Sequence, residues 1–204
     1  MTITAIEPRR RQMCALFIDG EYVMNLDAQT LIENRFDVGR EIDDDELKEI
    51  IEKSNERRAK DKALWLISYR SHSKKELFDK LRRDFDEDSA QKAVDRMQEL
   101  GLINDGEFAK AYARKLVYGK KMSLRAAELE LHRKGIDNIT AEQVLSDLEY
   151  DAQTQIIEFI SKKYRNIEDE KVRRRAVAAL QRKGYGWDDI KQAIETLVSE
   201  EFTS

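Results

Sequence analysis

The sequence predicts a mainly α-helical protein in which tandem three-helix repeats form an elongated, curved array behind a small N-terminal α+β cap containing a β-hairpin. Three observations support this fold class. Charged residues make up 38% of the 204-residue chain, which is typical of a helix-rich, water-facing surface. The only proline is Pro8, so no later proline interrupts a helix. A leucine-basic motif also returns about every 50 residues, as expected of a repeat protein.

The composition favours a protein of the cytoplasm, and we expect it to act as a monomer. The net charge is −4, and the sole cysteine, Cys14, leaves no partner for an internal disulfide. The N-terminus lacks the apolar run of a secretory signal. No later segment approaches the roughly 20 apolar residues of a membrane-spanning helix. We therefore expect a cytoplasmic location and no membrane contact.

The N-terminal segment predicts a β-hairpin over residues 12–26. Apolar runs rich in strand-forming residues flank Asp19-Gly20, a pair suited to the positive φ angles of a type I′ turn. A short helix near AQTLIENRF should follow and close at Gly39. These elements form the predicted α+β cap.

A long helix is predicted to begin after Asp43. In the sequence that follows, acidic residues come first and basic residues later, which is the order that the helix dipole favours. Ser54-Asn55 marks a potential break in this helix. The helix is expected to connect the cap to the repeats.

The repeats centre on LRRDF at 81–85, LHRKGI at 131–136 and LQRKGY at 180–185. Four residues before each leucine stands another small or apolar residue, so the two face one side of a helix. A second apolar helix follows each segment and a third precedes it, which predicts three short helices per repeat. The predicted organisation is 1–42 for the hairpin and short helix, 43–59 for a helical connector, and 60–104, 105–150 and 151–204 for the three repeats.

Local signals predict where the repeat helices begin and end. Gly135 and Gly184 stand where a left-handed residue would close a helix. Thr140 begins one capping-box pattern and Asp88 begins a weaker one. A three-helix unit of this size buries little apolar surface alone, so neighbouring repeats should share surface.

The stretch GKKMS, residues 119–123, contains the Gly-Lys pair of a phosphate-binding loop without the rest of the motif. A Walker A loop needs a second glycine five positions earlier and a Ser or Thr directly after the lysine. Arg114 and Lys121 occupy those positions. We instead predict a helix end at Gly119 and a helix N-cap at Ser123.

The sequence offers poor material for catalysis. Its two histidines, His72 and His132, have no cysteine or carboxylate at zinc-ligand spacing, and no nucleophile elbow or dinucleotide fingerprint is present. The acidic run Asp43, Asp44 and Asp45 is explained by a helix N-terminus. We expect no enzymatic activity, no cofactor and no metal.

Basic residues recur at corresponding places in the three repeats. Cations in the last turn of a helix are stabilised by its unpaired carbonyl groups by about 0.3 to 1 kcal/mol each, which would explain the basic pairs alone. The additional charges near each repeat are not required by that effect, and a basic stripe would suit phosphates or an acidic filament. The candidate filament- or DNA-binding residues are Arg70, Lys74, Lys75, Arg82, Arg83, Arg114, Lys115, Tyr118, Lys120, Lys121, Arg125, Arg133, Lys134, Lys162, Lys163, Arg165, Arg173, Arg174, Arg182 and Lys183.

A tyrosine recurs near the end of the first helix of each repeat, at Tyr69, Tyr118 and Tyr164. Aromatic rings interleaved with cations can stack on the bases of a single strand. Such rings also pack against a neighbouring helix with the hydroxyl in water. The sequence leaves both interpretations open.

The repeats resemble the RecX family, which regulates the bacterial recombinase RecA. The resemblance is carried by ALWLISYRSHSKKELFDKL, by ELGLINDGEFAKAYARKLVYGKKMSLRAAELELHRKGI, and by a weaker third copy that ends in ALQRKGY. Met122-Ser123 stands where the family has Gly or Pro after the basic pair. The resemblance implies tandem three-helix repeats without enzymatic activity.

The resemblance further implies binding in the groove or at the growing end of the RecA nucleoprotein filament. Binding there would limit filament extension and lower strand exchange and the coprotease activity that triggers the SOS response. DNA contact without sequence specificity, to single strands and potentially to double strands, is expected alongside RecA. Two alternatives remain: an autonomous DNA-binding regulator, and a structural adaptor that needs no basic stripe.

Overall fold

The N-terminal segment forms an antiparallel sheet of β1 (Ile3–Pro8), β2 (Met13–Ile18) and β3 (Glu21–Asp27), in that order, in a computed structural model that describes residues 1 to 201. The predicted hairpin is confirmed as β2 and β3. Its turn residues Asp19 and Gly20 have φ angles of 50° and 87°, both positive as a type I′ turn requires. The sequence analysis missed β1, which pairs with the other edge of β2.

Helix α1 (Ala28–Glu33) follows the sheet, and the prediction that it closes at Gly39 is wrong. The helix ends at Asn34, and Arg35 takes the left-handed conformation with φ 54°. Gly39 lies in the next loop, where its N–H donates to the Ile3 carbonyl at 2.8 Å. Its positive φ angle serves this contact between the loop and β1.

Helix α2 (Asp44–Tyr69) is continuous, so the predicted break at Ser54-Asn55 is wrong. Ser54 is buried, and its hydroxyl accepts a hydrogen bond from the backbone N–H of Asp27 at 2.8 Å. The hydroxyl thus pairs with the end of β3 and does not compete for the backbone of its own helix. The predicted connector and the first helix of the first repeat are one helix.

The repeats contain the remaining helices described between residues 1 and 201. A π-helical turn extends α5 at Lys115–Gly119. The helices are α3 (Lys74–Leu81), α4 (Glu87–Glu99), α5 (Asp105–Arg114), α6 (Leu124–Arg133), α7 (Asn138–Ser146), α8 (Ala152–Lys163), α9 (Glu170–Arg182) and α10 (Trp187–Glu201).

The repeated leucines Leu81, Leu131 and Leu180 are fully buried, as their spacing predicts. Each lies in the separate hydrophobic core of its own repeat, and the N-terminal sheet has a further core with α1 and α2. Tyr150 packs against the cores of both the second and the third repeat. The predicted mainly helical class, with an N-terminal sheet and tandem three-helix domains, is confirmed.

The predicted glycine closures are confirmed. Gly135 and Gly184 have φ angles of 81° and 88°. After Gly184, the N–H of Tyr185 donates to the Leu180 carbonyl at 3.2 Å, which is the long hydrogen bond of a Schellman closure. An equivalent bond follows Gly135.

Two predicted helix starts are wrong by two or three residues. Asp137 caps α7, and its carboxylate accepts from the backbone N–H of Thr140 at 2.9 Å. Asp86 caps α4 in the same way, through Ser89 at 2.8 Å. An aspartate carboxylate satisfies the free N–H groups of the first turn, so both helices begin before the residues that the capping-box pattern suggested.

The chain divides into two units, Met1–Asn104 and Asp105–Ser204. The first unit holds the N-terminal sheet and the first repeat. The second unit holds the second and third repeats. Each unit is described below by itself.

The buried His72 predicts a pH-dependent stability of the first unit. Its Nδ1 lies 2.8 Å from the Arg70 carbonyl oxygen, which can only accept, so Nδ1 carries the proton. Nε2 is buried and has no hydrogen-bond partner within residues 1 to 201. Burial, followed by the charges of Arg70 and Lys80, lowers the pKa of His72, while Glu76 opposes this shift.

Because the folded state resists protonation of His72, stability should fall as the pH is lowered through 6.5, the ordinary value. The fall should stop below the lower pKa of the folded state. Urea unfolding across this pH range, followed by circular dichroism, measures the effect. A His72→Asn variant, which keeps a donor for the carbonyl and cannot titrate, should lose this part of the pH dependence. An unchanged pH dependence in the variant would contradict the assignment.

Candidate nucleic-acid and filament interface

A groove of about 1030 Å³ in the second unit collects basic residues from three segments of the chain. The segments are the turn after α5, the last turn of α8 and the last turn of α9. We call this site the basic groove. Its lining residues are Tyr118, Gly119, Lys120, Lys121, Met122, Glu158, Phe159, Ser161, Lys162, Lys163, Arg182 and Lys183.

The π-helical turn after α5 places two lysines in the basic groove. The N–H of Lys120 donates to the Lys115 carbonyl at 2.9 Å, and the N–H of Met122 donates to the Leu116 carbonyl at 3.1 Å. Lys121 between them is left-handed, with φ 53°. The turn therefore satisfies the carbonyls at the end of the helix without the glycine or proline that the family places after the basic pair.

Ser123 joins the second repeat to the third. As predicted, it caps α6, and its hydroxyl accepts from the Ala126 N–H at 3.2 Å. Its own N–H donates to the Lys183 carbonyl at 3.0 Å, and its hydroxyl donates to the Gly184 carbonyl at 2.8 Å. One small polar residue therefore begins α6 and binds the end of α9, which brings their flanking lysines together.

Phe159 forms an apolar floor below two of the lysines. Its ring is buried, and the Nζ atoms of Lys163 and Lys183 lie 5.2 and 4.9 Å from the ring centre. The negative face of an aromatic ring attracts ammonium groups at this distance. Lys183 Nζ also donates to the Lys120 carbonyl. These contacts hold lysine side chains that would otherwise extend freely into water.

Positive charge dominates the basic groove. Six cations line it and Glu158 is the one lining carboxylate, which pairs with Lys121 at 2.5 Å. Among the side chains that the structure describes, those of residues 1 to 199, no carboxylate lies within ion-pair distance of Lys120, Lys162 or Arg182. Such a site attracts an anionic ligand, because the ligand would replace water around cations that have no other counter-charge.

The surroundings of Lys183 lower its pKa. Burial is the main cause that lowers this pKa, and the nearby Lys163 and Lys120 lower it further. A phosphate or carboxylate bound beside these amines would favour the charged form of Lys183. Anion binding therefore favours protonation of Lys183, and protonation of Lys183 favours anion binding.

The recurring tyrosines differ in their surroundings. The Tyr118 hydroxyl donates to the Glu149 carbonyl at 2.8 Å while its partly exposed side chain lines the basic groove. Tyr164 packs against Phe159 with ring centres 6.0 Å apart. Tyr69 is exposed in the first unit, with its ring edge-on to Trp65. Packing explains Tyr164, whereas Tyr118 has an aromatic surface beside the groove cations.

Other candidate residues of the second unit lie outside the basic groove. Arg114, Lys115, Arg125 and Arg165 are exposed and do not line it. Arg133 pairs with Glu130, and Lys134 lies over the Tyr112 ring. Arg173 and Arg174 line a second cavity between α9 and α10.

The candidate residues of the first unit have local partners. Arg70 forms a two-bond pair with Glu76 at 2.8 and 2.9 Å, and Lys75 pairs with Asp79 at 2.7 Å. Arg82 donates to the Phe85 carbonyl at 2.9 Å. The remaining two candidates are the half-buried Lys74 and the exposed Arg83.

Five residues that line the basic groove were not among the predicted binding residues: Gly119, Met122, Glu158, Phe159 and Ser161. A signal for Phe159 was present, because it lies four residues before Lys163 on the same face of α8. The contact with Lys183, which follows α9 in the same repeat, had no such local signal. Over residues 1 to 201, no group of three or more His, Cys, Asp or Glu side chains could hold a metal ion, and no helix is both long and apolar enough to span a membrane.

Family models match all three repeats in order. The model described as "RecX, first three-helix domain" matches residues 59–97. The second three-helix domain of RecX matches 104–145, and the third matches 149–194. The matches thus cover each repeat and omit the N-terminal sheet.

Curated relatives extend the similarity to nearly the whole chain. Regulatory protein RecX of Bacillus velezensis is 32% identical over 96% of this chain and 76% of its own length. Regulatory protein RecX of Clostridioides difficile is 27% identical over 97% of this chain and 96% of its own.

Solved structures agree with these matches. A crystal structure of regulatory protein RecX has a TM-score of 0.60 and 20% identity, covering 94% of this chain and 98% of its own, and it supports the fold. The crystal structure of RecX from Lactobacillus salivarius has a TM-score of 0.55 and 26% identity over 70% of this chain and 96% of its own. With three family domains in order and a relative 32% identical over most of both chains, this chain belongs to the RecX family of regulatory proteins.

Proposed function

We propose that this protein binds the RecA nucleoprotein filament and inhibits its extension. Inhibited extension would lower the recombinase and coprotease activities of RecA and so damp the SOS response and recombinational DNA repair. The observation that carries the proposal is the basic groove, which six cations from two repeats line and where two of them lie over the buried ring of Phe159. Membership of a regulatory family gives RecA as the expected partner.

The basic groove suits the sugar-phosphate backbone of DNA. Lysine ammonium groups act as point charges for phosphates, whereas base-specific contacts need Arg, Asn or Gln held against base edges. Five of the six cations of the groove are lysines, so binding without sequence preference follows. If four to six phosphates are contacted, log affinity for single-stranded DNA should fall against log salt with a slope of about −3 to −4.

The proposed action is binding and not catalysis, by a monomer in the cytoplasm that needs no cofactor or metal. The basic groove also favours a second function, an autonomous DNA-binding regulator, because it could bind phosphates without RecA. The two functions differ in whether RecA activity responds. A structural adaptor would need no basic stripe, so a flat salt dependence would favour it.

The test adds the purified protein, at amounts well below one molecule per RecA, to RecA that is polymerising on single-stranded DNA. ATP hydrolysis over time reports the length of active filament. We expect hydrolysis to reach a lower plateau, because one bound molecule stops addition of many RecA subunits. Unchanged hydrolysis at equimolar protein, with DNA binding intact, would contradict the RecA proposal and leave the autonomous regulator.

A further inference from the structure

A second groove lies on the third repeat, between α9 and α10. Its volume is about 370 Å³, and the aliphatic side chains of Val177, Ala178 and Ile194 contribute to its lining. Trp187, the first residue of α10, lines the same groove with 57% of its surface exposed. We call this site the Trp187 groove. It shares no lining residue with the basic groove.

The spacing of residues along α9 and α10 explains why apolar side chains line the Trp187 groove. Ala176 and Leu180 of α9 are buried in the core of the repeat. Val177 and Ala178 are half-buried and line the groove, and Val177 also packs against that core. On α10, Trp187 is one turn before Lys191, and residues four apart share one face of a helix. The channel of this groove therefore borders the core of the repeat: Ile194 belongs to that core, whereas Trp187 is exposed.

Cations flank this channel. Arg173, Arg174 and Lys191 line it, against the single carboxylate of Glu195. Arg174 pairs with Glu170, and Lys191 lies 3.8 Å from Glu195. The side chains of both pairs are 60% to 76% exposed, so each pair is screened by water and readily exchanged for another anion.

We propose that the Trp187 groove binds an acidic amphipathic segment of a partner protein. Aliphatic or aromatic side chains of that segment would enter the channel beside Trp187, and its carboxylates would pair with Arg173, Arg174 and Lys191. Amphipathic segments bind grooves between helices through anchors spaced three and four residues apart. Exposed tryptophans are common centres of binding energy in such interfaces.

The chemistry of the channel favours an acidic protein segment over a nucleic acid. Phosphates gain little from the exposed ring of Trp187 and the aliphatic side chains beside it, whereas a peptide anchor would remove that ring from water. The basic groove, with twice as many cations, is the better site for a polyphosphate chain. The proposal stands independently of RecA, because it uses a different surface.

The test uses the full chain with Trp65→Phe, which leaves Trp187 as the single tryptophan. The probe is a fluorescein-labelled peptide of about 15 residues with Leu and Phe at helical spacing and Asp or Glu elsewhere. Its controls are a scrambled peptide of equal composition and a peptide with Lys in place of the acidic residues. Trp187 emission and the anisotropy of the label report binding.

We expect the acidic amphipathic peptide to bind and to shift Trp187 emission to shorter wavelength. Trp187→Ala should weaken binding about 10- to 30-fold, as truncation of a central anchor does. Trp65→Ala is the matched control, since Trp65 is exposed to a similar extent, 51%, on the first unit. Arg173→Glu should weaken binding of the acidic peptide and strengthen that of the lysine peptide.

Three results would overturn the proposal. The first is equal binding of the amphipathic and scrambled peptides. The second is binding that survives Trp187→Ala, with circular dichroism confirming that the variant is folded. The third is a Trp187 response to a single-stranded oligonucleotide of about 20 nucleotides but not to the acidic peptide, which would assign the groove to nucleic acid.

Discussion

Replacing Lys120, Lys162 and Arg182 with Glu is expected to lower affinity for single-stranded DNA at least tenfold and to abolish inhibition of RecA. All three side chains are exposed and line the basic groove. Each lost phosphate contact removes about 0.7 from the salt slope, so the slope should fall by about 2. The three side chains contribute little to packing, so the fold should remain intact. Anisotropy of a labelled oligonucleotide across a salt series measures the change.

The matched control replaces Arg114, Lys115 and Arg125 with Glu. This variant changes the net charge of the second unit by the same amount, at exposed positions outside the groove. It should reduce affinity only slightly, through the long-range field of the protein. An equal loss in both variants would mean that net charge, and not the groove, determines binding.

Arg125 and Lys121 are less suitable than Lys162 and Arg182 for a variant that tests the basic groove. Arg125, Lys120 and Lys121 were all predicted to bind filament or DNA, but Arg125 does not line the basic groove. Lys121 already pairs with Glu158, so its reversal to Glu would leave two adjacent carboxylates. A lower affinity in that variant would therefore combine the loss of a binding residue with repulsion between the two carboxylates. Lys162 and Arg182 test the groove more directly.

Replacing Gly184 with Ala is expected to destabilise the second unit by about 2 to 5 kcal/mol. Gly184 has φ 88°, and an added Cβ would lie 2.5 Å from Ala126 Cβ and 2.6 Å from Ser123 Oγ. The left-handed conformation costs a non-glycine residue about 1 to 2 kcal/mol. The steric overlap of the added Cβ with Ala126 and Ser123 accounts for the remainder of the expected loss. Urea unfolding followed by Trp187 emission, in the Trp65→Phe background, reports this unit.

Gly101→Ala is the matched control for strain without overlap. Gly101 also has a positive φ of 68°, but an added Cβ would have no atom within 4 Å. We expect a loss of about 1 to 2 kcal/mol in the first unit, followed through Trp65 in a Trp187→Phe background. Equal losses in both variants would contradict the close approach of α9 to α6. Gly184→Ala should also weaken DNA binding, since this contact positions Lys183.

Local patterns along the sequence were sufficient to predict the repeats. The leucine spacing, the closing glycines and the Ser123 cap depend on contacts within a few residues. Such contacts have a fixed period in any helix. The exact helix starts at Asp86 and Asp137 were less predictable, because Asp and Thr compete for the same N-terminal role.

The sequence could not locate β1, the continuity of α2 or the floor of the basic groove. Strand β1 forms only because β2 offers it an edge, and Ser54 stays helical because Asp27, far along the chain, uses its hydroxyl. Each of these features depends on a partner distant in sequence. Secondary-structure propensity has no information on such partners.

The sequence by itself determined the three-helix repeats, their buried leucines and the excess of basic residues near each one. Only the tertiary structure decided which of those cations share a site. Lys120, Lys163 and Lys183 meet because Ser123 binds the end of α9 and Phe159 lies beneath two of the ammonium groups. Charge is a property of single residues, whereas a binding site depends on the distances between them, which packing between repeats sets.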